Sequence, residues 1–327
     1  MHFDDYVRTT NMIGIFKFEA IYQDRVWGGR ALAELFGRTL PPGRIIGESW
    51  EIVDRPEAQS LVRGGPDSGR SLRALIETRG PEIMGPGWPP AREFPILVKW
   101  LDCRERLSLQ VHPPAAQAPA LGGEPKTENW FIARAAPGAG IFVGLRRGVD
   151  RARFEQALDA GTLETCVNRF TVAAGDSVLV RSGTVHAIDA GNVILEIQQN
   201  SDTTYRVYDW GRTGLDGRPR QLHRREALAS ILWDKPAPPV LRAASTPAVL
   251  ADCAEFRIRC VPLAPGGQLE FPAGQQPRLL HVVRGRIGEA ATGGFLAGGD
   301  NALLPFAGHF TFAATEPSLL LVTEGFA

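Results

Sequence analysis

In the stretch 175–199, GDSVLVRSGTVHAIDAGNVILEIQQ, short β-branched runs alternate with glycine turns, which is the pattern of antiparallel strands. Strand-sized runs of the same kind recur at 47–54, 94–102, 107–113, 129–134, 139–145 and 204–210. Helical periodicity is scarce, and its best candidates are 29–36, 71–80, 150–161 and 223–232. Closely spaced strands with few helices between them predict a mainly β chain folded as a sandwich or barrel.

The length and the distribution of proline predict two domains. A single core rarely grows beyond roughly 250–300 residues, and this chain has 327. Residues 234–244 hold three prolines and no apolar period, so we expect a linker there between a larger domain at 1–233 and a smaller one at 245–327. The segments 175–188 and 299–312 both run from Gly-Asp through a short strand to a Gly near a His, which indicates a duplicated barrel whose first copy alone kept its polar contents.

The charge balance, the length of the apolar runs and the first ten residues together exclude several classes of partner and location. Lys plus Arg and Asp plus Glu each number 36, whereas a nucleic-acid-binding protein needs a basic excess. The longest apolar runs, such as 94–98 and 319–322, are far shorter than the roughly 18 residues of a membrane span. The first ten residues carry two Asp where a signal peptide carries positive charge. We therefore expect a cytoplasmic protein, a monomer or small homo-oligomer, that binds neither nucleic acid nor membrane.

The sequence SLQVHP at 108–113 carries the first polar cluster. Alternate residues of a strand share a face, so Ser108, Gln110 and His112 point one way while Leu109 and Val111 point the other. Such a polar face is either exposed to solvent or lines a barrel interior as a metal or substrate site.

Further polar residues follow in PKTENW and SGTVHAI. Lys126 and Glu128 share a face by the same parity, and His186 follows a glycine turn. Each signal alone is typical of a solvated strand or a hydrogen-bonded core histidine. Taken with Gln110 and His112, however, Glu128 and His186 make up the nitrogen and oxygen ligand set that Zn²⁺ and similar divalent ions accept.

The segment LEIQQNSDTTYRVYDW at 195–210 predicts a charged hairpin. Glu196 precedes the turn, Asp202 lies at the bend and Arg206 follows on the returning strand. These residues form either a surface salt-bridge network or, beside an ionic site, the oxyanion fork and proton-handling carboxylates that a sugar-phosphate enzyme needs.

Seven motifs occur in order, namely RVWGG (25–29), IGESWEI (46–52), LSLQVHP (107–113), KTENWFI (126–132), GTVHAI (183–188), ILEIQQNSDTTYRVYDW (194–210) and RQLHRREAL (220–228). Over roughly 17–230 the chain resembles the type I mannose-6-phosphate isomerases, in particular their shorter bacterial form, and beyond 230 the resemblance is loose. The resemblance implies duplicated cupin barrels of the double-stranded β-helix or jelly-roll type with a few peripheral helices. It also implies one zinc ion and the interconversion of mannose 6-phosphate and fructose 6-phosphate through a cis-enediol.

The resemblance also implies the roles of individual residues. The family's metal ligands fall on Gln110, His112, Glu128 and His186. Its catalytic and substrate-binding positions fall on Arg206, Lys126, Glu196, Asp202, Ser108 and Lys99. Among these, Ser108 and Lys99 lie near where the substrate phosphate is expected, with Lys126 and Arg206 as further substrate contacts. The general base stays open between Glu196, Asp202 and Lys126.

Three other functions are compatible with these residues. His112, Glu128 and His186 alone form the two-His-one-carboxylate set of non-haem Fe(II) oxygenases, although Gln110 and the neighbouring cations argue against it. A sugar-sensing cupin without catalytic activity is disfavoured because no helix-turn-helix pattern is evident. The third alternative is an isomerase of another phosphorylated or free sugar.

Overall fold

The structure is a computed structural model that describes residues 13–234, 242–243 and 247–326. It is mainly β, with 41% strand and 13% helix. The first fourteen strands are β1 (Phe16–Lys17), β2 (Ile21–Gly29), β3 (Ile46–Ile52), β4 (Asp54–Arg55), β5 (Ala58–Gln59), β6 (Ile96–Cys103), β7 (Leu109–Val111), β8 (Glu128–Ala135), β9 (Gly140–Leu145), β10 (Val167–Thr171), β11 (Asp176–Val180), β12 (His186–Ile188), β13 (Asn192–Gln199) and β14 (Tyr205–Tyr208). The other strands are β15 (Arg242–Ala243), β16 (Ala248–Asp252), β17 (Arg257–Leu263), β18 (Gln268–Phe271), β19 (Arg278–Arg284), β20 (Arg286–Glu289), β21 (Phe295–Ala297), β22 (Asn301–Leu304), β23 (Phe310–Ala314) and β24 (Ser318–Glu324).

The four predicted helices are present as α1 (Ala31–Phe36), α2 (Leu72–Ile83), α3 (Arg151–Asp159) and α4 (Arg224–Ser230). Ser71 and Asp150 cap α2 and α3 by accepting backbone N–H bonds three residues on, which satisfies donors left free at a helix start. The helix α2 continues past its predicted end because the chain kinks at Arg79 and then accommodates Pro81. Among the described helices, none combines the length and apolarity of a membrane span.

Two antiparallel sheets form the first barrel. Seven strands in the order β15-β11-β8-β13-β6-β3-β2 face five in the order β10-β9-β12-β7-β14. Their facing side chains meet in a core that includes Leu101, Trp130 and Ile194 from the larger sheet and Ile141 and Val143 from the smaller. The outer face of the smaller sheet is covered by α3 and α4.

A second pair of sheets follows in the C-terminal third. Six strands in the order β1-β22-β19-β24-β17-β16 pack on four in the order β18-β23-β20-β21, around Val282, Phe310 and Phe312. The strand β6 packs one of its faces into the first barrel's core and the other into a core shared with the second barrel. All eight of its residues are therefore buried. The prediction of a mainly β chain with two barrels is confirmed.

The predicted domain boundary stays a prediction, but two strands bear on it. Most of the predicted linker 234–244 lies outside the described residues, and within it Arg242–Ala243 pairs with β11 of the first barrel. At the other end of the chain, β1 pairs with β22 of the second barrel. The linker strand β15 thus extends a sheet of the first barrel, and the N-terminal strand β1 extends a sheet of the second.

Candidate active site

The strand β7 exposes its alternate side chains to two environments. Leu109 and Val111 belong to the core beneath α3 and α4. Gln110 and Ser108 line a cavity in the first barrel, and His112 is only 1% exposed. The polar face of SLQVHP therefore lines the barrel interior rather than the solvent.

Four side chains named as metal ligands by the resemblance meet at one point. His186 begins β12 directly opposite Gln110 of β7, and Glu128 begins β8. The Nε2 atoms of His112 and His186 lie 3.4 and 3.3 Å from the two carboxylate oxygens of Glu128. Nε2 of Gln110 lies 3.3 Å from Nε2 of His186, and a half-turn of this amide would bring its oxygen to the same place. Within the described ranges, His112, Glu128 and His186 are the one group of three or more His, Cys, Asp or Glu side chains close enough to share a metal ion.

The glycine turn before His186 links the two histidine strands. Gly183 has φ +85°, and a Cβ on it would come within 2.6 Å of Cγ of Leu232. Its N–H donates a 2.7 Å bond to the carbonyl of His112. Glycine at 183 thus allows the turn before His186 to hydrogen-bond to the backbone of His112.

Backbone carbonyls determine the tautomer of both histidines. Nδ1 of His112 lies 2.7 Å from the carbonyl oxygen of Thr203, and Nδ1 of His186 lies 2.8 Å from that of Thr184. A carbonyl oxygen can only accept, so each Nδ1 carries the proton and each Nε2 presents a lone pair. This is the second-shell arrangement that orients metal-binding imidazoles.

Some of the electron pairs at this point have no hydrogen-bond donor among the described residues. Nε2 of His112 and Oε1 of Glu128 are buried without a hydrogen bond, while Oε2 of Glu128 has the ammonium of Lys126 as an ion-pair partner at 3.0 Å. Burial lowers the pKa of His112 to about 3 and also lowers that of His186, so neither ring supplies a proton to Glu128. Buried lone pairs that face one another are unfavourable unless a cation lies between them. The donor set therefore fits a metal ion.

Lys126 lies between the candidate ligand Glu128 and a second buried carboxylate, Glu196. Nζ of Lys126 lies 3.0 Å from Glu128 and 4.0 Å from Glu196. Burial opposes the charge on Lys126, but these two carboxylates outweigh it and raise its pKa. Burial raises the pKa of Glu196, whose Oε1 accepts a 3.0 Å bond from the indole of Trp130. Asp202 is 44% exposed on its side chain and lies 3.8 Å from Lys99.

Arg25 and Glu48 are two cavity residues to which the sequence assigned no role. Arg25 donates through Nε and Nη2 to the two oxygens of Glu48 at 3.0 and 2.9 Å, and Nε1 of Trp50 adds a 2.7 Å bond. Nζ of Lys99 lies 3.9 Å from Glu48 and 4.8 Å from the ring centre of Trp50. Both residues lie in the motifs RVWGG and IGESWEI, which were the available signal.

Arg206 lies on β14 beside Gln110 of β7. Its Nη1 donates 2.7 Å to the carbonyl of Gln221, while its Nε is buried without a partner among the described residues. Burial and the neighbouring Arg220 lower the pKa of Arg206. His223 holds the backbone of this arginine from both sides, because its own N–H donates to the carbonyl of Arg206 and its ring Nδ1 accepts the Arg206 N–H.

A cavity of about 410 Å³ in the first barrel reaches the cluster of candidate ligands at Gln110. Its lining includes Ser108, Gln110 and seven charged residues named above, together with Arg220. A space of this size holds a small polar molecule. The sequence predicted the strand residues of the site but not the cavity residues Arg25, Glu48 and Arg220.

An antiparallel barrel with a buried cation site beside a charged cavity defines a metal-binding protein of the cupin fold. The family model described as phosphomannose isomerase type I, catalytic domain, matches residues 15–133. The chain is 33% identical over 301 residues to mannose-6-phosphate isomerase ManA of Bacillus subtilis, covering 88% of this chain and 92% of that relative. It is 39% identical over 214 residues to the mannose-6-phosphate isomerase of Streptococcus mutans, covering 65% and 66%.

A solved structure agrees with these relatives. The crystal structure of the mannose 6-phosphate isomerase from Bacillus subtilis superposes with a TM-score of 0.82 at 28% identity, covering 95% of this chain and all of that one. The chain belongs to the type I mannose-6-phosphate isomerase family.

Proposed function

We propose that this protein interconverts mannose 6-phosphate and fructose 6-phosphate. The observation that carries the proposal is the convergence of Gln110, His112, Glu128 and His186 beside a charged cavity that Gln110 lines. Within this donor set, Nε2 of His112 and Oε1 of Glu128 have no hydrogen-bond partner among the described residues. The names of its relatives support the same reaction. The alternatives of an oxygenase or an isomerase of another sugar become outcomes of the test below.

The metal proposed for this site is Zn²⁺. Two neutral imidazoles and one amide contribute no charge, so Glu128 alone would reduce the charge of a divalent ion, to about +1. When bound, such an ion supplies Lewis acidity that polarises a sugar oxygen. Gln110 matters in this scheme because a neutral ligand preserves the remaining positive charge.

Aldose–ketose exchange moves a proton between C2 and C1 of the sugar while negative charge develops on the enediolate. Glu196 is proposed as the proton acceptor, because Glu128 and Glu196 hold Lys126 as an ammonium and Asp202 is the more exposed carboxylate. Arg206 has a donor nitrogen without a partner and would stabilise the developing charge. Lys126 would orient Glu128 and return a proton to a sugar hydroxyl.

The test is a coupled assay of fructose 6-phosphate formation from mannose 6-phosphate, with free mannose as the comparison substrate. We expect activity on the phosphorylated sugar that a chelator removes and Zn²⁺ restores. His112→Ala should lose both metal and activity, whereas His309→Ala, whose side chain is 53% exposed, should lose neither. No activity on either sugar would contradict the proposal, and oxygen uptake with bound iron would indicate the oxygenase instead. The cytoplasmic location and the monomeric or small oligomeric state stay predictions.

A further inference from the structure

Charge is distributed unevenly along the cavity. Near the candidate ligands, Nζ of Lys99 lies 3.7 to 3.9 Å from carboxylate oxygens of Glu48, Glu196 and Asp202. Its single positive charge is thus shared among three acids, and Arg25 is already paired with Glu48. Among the described residues in this part of the cavity, Arg25, Lys99 and Lys126 are all paired with carboxylates, so none of them is free to bind an anion.

The opposite holds where β14 leaves the barrel. Asp209, 6% exposed on its side chain, forms salt bridges with two arginines, Arg212 and Arg220. Arg220 donates to it through Nε at 2.6 Å and also through Nη2, and Arg212 donates through Nη2 at 2.7 Å. Arg206 lies close enough for Arg220 and Arg212 to lower its pKa, after the larger effect of burial. Two guanidinium groups thus pair with one carboxylate, and Arg206 has no salt-bridge partner, which leaves about two positive charges uncompensated within the described residues.

Two of these three arginines reach the cavity. Arg206 and Arg220 line it, whereas Arg212 does not. The loop that carries Arg212 and Arg220 is anchored at Trp210, which has φ +59° and donates a 2.6 Å bond from its indole to the carbonyl of Leu107, itself a lining residue. A left-handed conformation in so bulky a residue is unusual and indicates that the loop is held in one shape.

We propose that Arg220 is a substrate-binding residue that receives the phosphate group of the sugar, while Arg206 beside it adds to the positive charge of this end and keeps its proposed role at the enediolate. This inference rests on the proposed function, and it places the phosphate at the arginine end rather than beside Lys99. A phosphate ester near neutral pH carries close to two negative charges, and guanidinium groups bind it with paired, charge-assisted hydrogen bonds. Asp209 is the positioning residue that aims Arg220 by occupying its Nε and Nη2.

The decisive variants are Arg220→Gln and, as a matched control, Arg218→Gln on the exposed part of the same loop. The measurements are KM and kcat for mannose 6-phosphate and the Kd of inorganic phosphate by calorimetry on the metal-loaded protein. Arg220→Gln should raise both KM and the phosphate Kd by about ten- to a hundredfold with kcat changed much less, because one charge-assisted contact is lost. Arg218→Gln should leave all three values unchanged.

Two further variants separate contact from support. Arg220→Lys keeps a charge without the fork and should fall between wild type and Arg220→Gln. Arg212→Gln loosens Asp209 without removing a cavity residue and should have a smaller effect than Arg220→Gln; an equal effect would overturn the direct contact. Arg220→Gln with wild-type KM and phosphate Kd would also overturn it. If the wild type lacked isomerase activity, the proposed function would fail, while the phosphate calorimetry would still decide the role of Arg220.

Discussion

Replacing Glu48 by Gln tests how much the charge of this carboxylate, which Arg25 and Lys99 share, stabilises the fold. The Glu48 side chain is 12% exposed and accepts three hydrogen bonds, two from Arg25 and one from Trp50. Glutamine keeps the size and one acceptor oxygen but removes the charge that Arg25 and Lys99 share. The variant therefore isolates the electrostatic contribution.

The magnitude follows from the pKa of Glu48, which is lowered from 4.5 to about 2. Burial alone would raise this pKa, but Lys99 and Arg25 outweigh it. Because one pH unit corresponds to about 1.4 kcal/mol, the charge stabilises the fold by about 3 kcal/mol at neutral pH. A folded pKa below the unfolded one means that this stabilisation is complete above about pH 4.5 and is lost as the pH falls toward 2.

Urea unfolding, followed by tryptophan fluorescence at several pH values, measures the effect. We expect Glu48→Gln to lower the free energy of unfolding by about 3 kcal/mol at pH 7 and by roughly half as much at pH 3. Glu57→Gln is the control, since Glu57 pairs with Arg55 but is 49% exposed, and its loss should stay below about 1 kcal/mol. A Glu48→Gln effect under about 1 kcal/mol at pH 7, or one of equal size at both pH values, would refute the reasoning.

Three more predictions concern the proposed metal and proton chemistry. Gln110→Glu should lower kcat on the order of 10²-fold with metal retained, because a second carboxylate cancels the remaining charge of the ion; metal analysis and kcat on one preparation check this. Removing metal with a chelator should lower Tm by roughly 5 °C or more and Zn²⁺ should restore it, because Glu128 is otherwise left facing two lone pairs; scanning fluorimetry measures this, and an unchanged Tm would count against the site. Glu196→Gln should slow exchange of the C2 proton with deuterated solvent on the order of 10²-fold or more, and Asp202→Asn should slow it less, as followed by NMR on metal-loaded protein.

The strand positions of the site were predictable because alternation is a local property. Ser108, Gln110 and His112 had to share a face of any strand that ran through SLQVHP, and the apolar residues between them required that face to lie opposite a core. The pairing of His186 with Gln110 is not local, but the motifs around both residues were visible in the sequence.

Strand alternation could not predict that Arg25, Glu48 and Arg220 line the cavity. Arg25 meets Glu48 across β2 and β3, whose register shifts between Gln23 and Asp24 and again before Gly29. Such bulges re-aim side chains, so counting alternate residues along β2 does not tell which of them enters the cavity. Arg220 was equally hidden, because its place depends on a loop of irregular structure whose shape is held by Trp210 and Asp209.

The second barrel holds a buried histidine whose two ring nitrogens both have side-chain partners. His281 is fully buried like His186, and burial lowers its pKa to about 4. Its Nδ1 lies 2.7 Å from the Oδ1 of Asn301, which can only accept, and its Nε2 lies 2.9 Å from the hydroxyl of Thr323, which can donate. Both ring nitrogens are therefore satisfied by side chains, whereas Nε2 of His112 has no hydrogen-bond partner among the described residues and faces Glu128. The hydroxyl of Thr323 thus occupies in His281 the ring nitrogen that the proposed metal ligation needs free in His112.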